Sequence, residues 1–211
     1  MLSIENYNSH KIFEFKAVIF DSSPLIWRGL KVSGAASFFE FHVALADVFG
    51  WTDYPPHIFK LYFDRSKPLK LRLPFFLKEK YKRNEMEAEI YLGQYFRKPG
   101  QKVKYKVFGE MNLKVYVELK SISDPDDWDV YPQCTDGKNA SIPQMFPEIY
   151  DFNDYLRILE NPKHILYEEI QQEYQYWKPK PFNRSEVIFG DPREALDNFF
   201  AYLATTPQGR L

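Results

Sequence analysis

The sequence predicts an α+β fold: one roll-like domain over residues 1–211, with a mostly antiparallel sheet, helices packed on it and a helical C-terminal third. Three observations carry that prediction. Two stretches alternate or pair as β-hairpins, three capping motifs open helical patterns, and the last helical patterns gather at one end of the chain. Hydrophobic residues make up 45% and aromatic residues 18% of the 211, enough apolar mass to close a core and to exclude global disorder.

Taken in order, residues 11–20 (KIFEFKAVIF) are rich in strand-forming types. Asp21-Ser22-Ser23-Pro24 makes a turn, and Leu25 to Val32 returns as the second strand. Ser37 and Glu40 form a capping box that opens the first helix, with Phe38, Phe41, Leu45, Val48 and Phe49 at helical spacing. Gly50 suits the left-handed position that ends it. Residues 57–63 (HIFKLYF) read as a strand entered through Pro55-Pro56. The stretch 64–83 is basic and irregular in pattern. Asn84 and Glu87 form a second capping box, which predicts a short helix over 84–96. Lys102 to Phe108 and Leu113 to Ile122 alternate around the turn Gly109–Asn112, the clearest hairpin in the chain. Residues 123–148 read as a long surface loop with at most one strand turn. Helices follow at Asp151–Glu160, His164–Trp177 and Asp191–Thr205, the last with an Asp191 cap, Pro192 in its first turn and a third capping box through Glu194.

Composition narrows the function classes. Lys and Arg number 28 against 29 Asp and Glu, so net charge dictates no broad nucleic-acid-binding surface. A single Cys allows no internal disulfide and points to a reducing compartment. No apolar run approaches the ~20 residues that span a bilayer, and Met1 to Lys16 has no signal-peptide core. A cytoplasmic protein without a membrane partner is expected. Nine glycines are too few and too scattered for a dinucleotide cradle, and no cofactor is implied.

The side chains with chemistry are few. His42 on the first helix and His57 at the head of the next strand can converge, and Asp47 or Asp53 can join them. With Asp136 they make the weak candidates for a catalytic site, though no metal-ligand spacing is present and no metal is assigned. Asp124, Asp126, Asp127 and Asp129 surround Trp128, but Pro125 and the absence of the required Gly break the calcium-loop pattern. Cys134 has no local base to activate it. Lys60 to Arg83 holds nine basic residues against Asp64 and Glu79, interleaved with Tyr62, Phe63, Phe75, Phe76 and Tyr81. That mixture suits a single-strand nucleic-acid groove, with Lys78, Lys80, Lys82 and Arg83 as its binding residues. It equally suits a solvated edge strand. Residues 148–176 carry seven acidic residues against two basic, so the two segments could neutralise each other within the fold or across a homodimer.

An ordered set of motifs remains. Ile26-Trp27-Arg28, Phe39-Glu40-Phe41-His42, Phe49-Gly50-Trp51 and His57-Ile58-Phe59 come first. Tyr105 to Ile122 follows, then Tyr131-Pro132-Gln133-Cys134-Thr135-Asp136-Gly137, Tyr150-Asp151-Phe152 and Asn161-Pro162-Lys163-His164. Together they resemble the plasmid pRiA4b ORF-three family, whose members are sometimes labelled insertion-element passenger "TnpR-like" proteins. The resemblance runs from about Lys11 to Leu196. It departs where the family's D-F-G-D element becomes Val107-Phe108-Gly109-Glu110 and where its Cys-rich run becomes Ser141–Pro147. His42, His57, Cys134 and Asp136 are kept, while an Asp, a Trp, a His and a Cys position are lost. The resemblance implies an α+β, roll-like domain of a prokaryotic cytosolic protein carried near mobile elements, and no established activity.

The leading expectation is an interaction module that holds a protein or nucleic-acid partner in the groove between sheet and first helix, through Trp27, Arg28 and Trp51. The alternatives are a metal-assisted hydrolase at His42, His57 and Asp136, and a nucleic-acid-binding accessory protein using residues 60–83. A bland account runs beside them: Trp27, Phe41, Phe49, Trp51 and Phe59 pack the first helix on the sheet, Gly50 and Gly137 serve turns, and Arg28 pairs with Asp47 or Asp53.

Overall fold

The computed structural model of the chain describes residues 8–51, 54–63, 67–73, 86–143 and 145–205. Seven strands form one sheet: β1 (Ile12–Ile19), β2 (Trp27–Ser33), β3 (His57–Leu61), β4 (Leu69–Leu71), β5 (Lys102–Val107), β6 (Leu113–Ser123) and β7 (Gln133–Lys138). They lie in the order β4-β3-β5-β6-β1-β2-β7, and every pairing is antiparallel. The described helices are α1 (Phe38–Phe49), α2 (Leu92–Tyr95), α3 (Ile149–Leu159), α4 (Tyr167–Trp177) and α5 (Pro192–Thr205). The class is α+β with an antiparallel sheet. No described helix is long and apolar enough to cross a membrane.

Period-two alternation divides the sheet into two faces. Phe13, Phe15, Ala17 and Ile19 of β1 point to the core, as do Leu113, Val115, Val117 and Leu119 of β6, and all are buried. Against this face lies α1. Ten of its twelve residues are buried, so it is covered on nearly every side. Phe38 and Phe41 pack on Phe59 of β3 with ring centroids 5.2 and 6.0 Å apart. On the opposite side of α1, Phe39 and Val43 meet Ala195, Leu196 and Phe199 of α5.

The ends of α1 follow the expected chemistry. Ser37 Oγ accepts from Glu40 N at 3.1 Å, and the Glu40 carboxylate accepts from Ser37 N at 2.6 Å. Gly50 closes the helix at φ 68°, in the left-handed region. Ser37→Ala is expected to lower the unfolding free energy by about 1 kcal/mol, read from the urea midpoint. A change under a few tenths would mean that α1 is held by packing alone.

Four readings of the sequence are corrected here. Of the helix expected over 84–96, residues 84 and 85 lie outside the described residues, and the rest is a 3-10 turn at Glu87–Glu89 followed by the single turn of α2, with the Glu87 side chain engaged in a tertiary contact. Residues 133–138 are a strand, not a loop: β7 pairs along β2 from Trp27↔Lys138 to Lys31↔Gln133. Trp27 stands on the outer face of the sheet beside Lys16, so it does not pack α1. Gly137 lies within β7 and serves contact rather than a turn, since a Cβ there would collide with the Phe182 ring.

Candidate functional site

The fold brings His42 and His57 together. α1 presents His42 downward, the first residue of β3 presents His57 upward, and the rings stack at 3.5 Å with 13° between planes. His42 Nδ1 is 2.8 Å from the Tyr105 hydroxyl on β5. His57 Nδ1 is 3.2 Å from the Pro55 carbonyl, which can only accept, so this nitrogen carries a proton. His57 Nε2 is 2.8 Å from Glu87 Oε2. All four residues are buried, Glu87 and Tyr105 completely. Burial, reinforced by the His57 charge, holds His42 well below the usual imidazole range, while burial and then Glu87 push the Tyr105 hydroxyl well above its own.

This cluster is structural in its geometry. Ring lone pairs lie in the ring plane, so two stacked imidazoles aim their nitrogens side by side rather than at one ion. Three of the four ring nitrogens are already engaged. Asp136, the third expected member, is on β7, and four strands separate it from His57, about 24 Å along the sheet at the usual strand spacing. Among the described residues, no three of His, Cys, Asp and Glu are grouped as a metal site. The hydrolase candidates therefore do not form one centre. Asp136 is exposed and accepts from Gly137 N at 2.7 Å. Cys134 is half-buried, and burial raises its thiol, which leaves it protonated and a weak nucleophile. In the acidic loop, Asp124 pairs with Lys11 at 2.6 Å and Asp126 accepts from Trp128 N.

Arg28 is buried at the core end of β2, and the expected Asp47 pairing is not made. Instead its guanidinium donates to the carbonyls of Val48, Trp27 and Lys138 at 2.8, 2.8 and 3.0 Å. It caps the C-terminal end of α1, where the helix dipole favours a cation. Asp53 lies outside the described residues. Trp51 is buried with its ring stacked on Phe49 at 4.8 Å.

The outer face of the sheet is a different surface. Directly opposed residues share a face, so the register defines one row across all seven strands: Lys70, Lys60, Lys104, Tyr116, Val18, Trp27 and Lys138. Lys106 and Lys114 oppose each other in the adjacent row. None of these side chains is buried. Lys16 Nζ sits 4.2 Å from the Trp27 ring, Lys104 Nζ lies 5.3 Å from Tyr62 and 5.7 Å from Tyr116, and Phe20 meets Tyr116 edge-on at 5.2 Å. Glu118 also faces outward, and it is engaged by Lys102 and Lys120.

Of the basic segment singled out in the sequence, Lys60 and Lys70 fall on this face, while Lys78, Lys80, Lys82 and Arg83 lie outside the described residues. Sequence reasoning missed Glu87, Tyr105 and the Lys104–Lys114 part of the face. The alternating KVKYKV of β5 was the available signal, since it places Lys102, Lys104 and Lys106 on one side.

The model of the plasmid pRiA4b ORF-3-like protein family matches residues 11–186. No curated protein matches the sequence. The fold is similar to the crystal structure of a protein of unknown function, MM3350, from Methanosarcina mazei Go1, with a TM-score of 0.71 and 25% identity. That alignment covers 85% of this chain and 98% of the other.

Proposed function

The chain belongs to the plasmid pRiA4b ORF-3-like protein family, and from that premise we propose that it is a binding module for single-stranded nucleic acid, held on the outer face of the sheet. One observation carries this reading: lysines oppose lysines across the strands, Lys60↔Lys70, Lys60↔Lys104 and Lys106↔Lys114. Like charges directly opposite destabilise a sheet, so this arrangement works against the fold unless an anion sits above it. A strand of phosphates supplies that anion. Beside the lysines, Trp27, Tyr116 and Phe20 offer ring surface on which unpaired bases can stack, the second requirement of a single-strand platform. Duplex would present phosphates without free base faces, which favours single strands. A cytoplasmic setting alongside mobile elements fits this reading.

The test is fluorescence anisotropy with labelled single-stranded oligonucleotides. Affinity should fall linearly in log–log form as salt rises, with each lost phosphate contact lowering the slope by about 0.7. Lys104→Thr should weaken binding and raise folding stability by up to about 1 kcal/mol, because it removes repulsion from the sheet. Tyr116→Leu should weaken binding by about 1–3 kcal/mol with little change in salt slope. Binding that ignores salt, or that survives both substitutions, would end the proposal.

A further inference from the structure

We propose that the groove at the C-terminal end of α1 is a second, separate site, which binds a small apolar molecule through its carboxylate, with Arg28 as the anchoring residue. The groove has a volume of about 360 Å³, within the range of small-molecule sites. Phe49, Trp51, Phe182, Ile188, Arg28 and Ser141 line it.

The groove's unpartnered polar groups can each donate a hydrogen bond, Ser141 through a hydroxyl that can also accept. Arg28 is only 2% exposed, and no carboxylate pairs with it among the described residues. Its Nε and Nη1 are used by carbonyls, whereas Nη2 makes no hydrogen bond. Ser141 Oγ and Trp51 Nε1 are buried and have no partner either. Unpaired buried polar groups are rare in native proteins, and two of them, Ser141 Oγ and Trp51 Nε1, on residues around one groove call for a partner. Burial lowers Arg28 only to about 10, so it stays charged near neutral pH.

The two acidic residues of the groove do not supply that partner. Asp47 accepts from Gly190 N at 3.0 Å, and Glu186 accepts from Asn183 Nδ2 at 2.9 Å. A carboxylate fits the demand, because its two oxygens accept several donors and match a guanidinium edge. The rest of the ligand is apolar and flat. Phe182 already lies 3.9 Å from the guanidinium and Phe49 5.4 Å, so the anchoring charge sits between rings. Gly137 permits this, since a Cβ there would meet both the Phe182 ring and the Arg28 side chain.

The experiment compares phenylacetate with its neutral isostere phenylacetamide on the wild-type chain, read by the indole N–H resonance of Trp51 and by Tm. Phenylacetate should move the Trp51 resonance downfield and raise Tm, and the amide should do neither. Ser141→Ala should weaken the acid about tenfold, as loss of one hydrogen bond to a charged group does, without lowering Tm. Arg28→Gln should abolish it. If that variant does not fold, the acid–amide pair and Ser141→Ala decide alone. Equal responses to acid and amide, or no response to either, overturn the inference. Oligonucleotide binding at the outer sheet face is measured in the same samples, so failure at either site is read independently of the other.

Discussion

Glu87→Ala should lower the unfolding free energy by about 1–3 kcal/mol, the loss expected when a buried polar group is left without its hydrogen-bond partner. His57 and Glu87 meet at 2.8 Å with side-chain exposures of 5% and 0%, so neither can turn to water for a replacement partner. Against a usual total of about 5–15 kcal/mol, that loss is a large share of the stability. Urea denaturation measures it. The double change His57→Phe with Glu87→Leu should recover most of the loss, since an apolar pair of similar volume has no desolvation to offset and Glu87 Oε1 has no partner to lose. A single-variant effect under about 1 kcal/mol would show that the pair contributes little beyond filling space.

Stability should fall by about 1.4 kcal/mol per pH unit as the solution is acidified below the ordinary imidazole range. The cause is His42, whose burial holds it well below 6.5, with the His57 charge adding to the effect. Below pH 6.5 the unfolded chain takes a proton at residue 42 and the folded chain does not, so acid favours unfolding. The loss continues until pH reaches the folded value. Unfolding free energies measured from neutrality to about pH 5, above the ordinary range of carboxylates, give the slope. His42→Asn keeps a polar atom for the Tyr105 hydroxyl but removes the titration, so its profile should be flatter by about one proton. Parallel profiles would assign the acid sensitivity elsewhere.

Which parts of this molecule are legible in the sequence depends on how local their causes are. The β5–β6 hairpin is legible because its alternation and its turn are contiguous. The same holds for α1, whose cap, apolar stripe and terminal Gly50 lie within fourteen residues. β7 is not legible: Gln133–Lys138 has little strand propensity, and its conformation comes from pairing with β2, about a hundred residues earlier. The Asn84–Glu87 spacing reads as a capping box; Asn84 lies outside the described residues, and the Glu87 carboxylate is bound by His57, thirty residues away. In the candidate sites, the convergence of His42 and His57 follows from their placement on adjoining elements. That Tyr105 and Glu87 complete the cluster does not, because both arrive through the tertiary fold. Arg28 was expected to meet an aspartate and meets carbonyls instead, since the end of α1 offers acceptors at closer range.

The position of β1 between β2 and β6 sets a timetable for biosynthesis. β1, β2 and α1 are all complete by Phe49, but β1 has its second neighbour only when β6 has been made, with Ile12 opposite Ser123. At about 5–20 residues per second, the wait is roughly 4–15 s. β2 waits longer, for β7. During that interval an apolar hairpin stands with both edges unpaired, a state open to association with other nascent chains. The sheet therefore cannot be assembled strand by strand as the chain emerges. It closes late, when β6 and then β7 have been made.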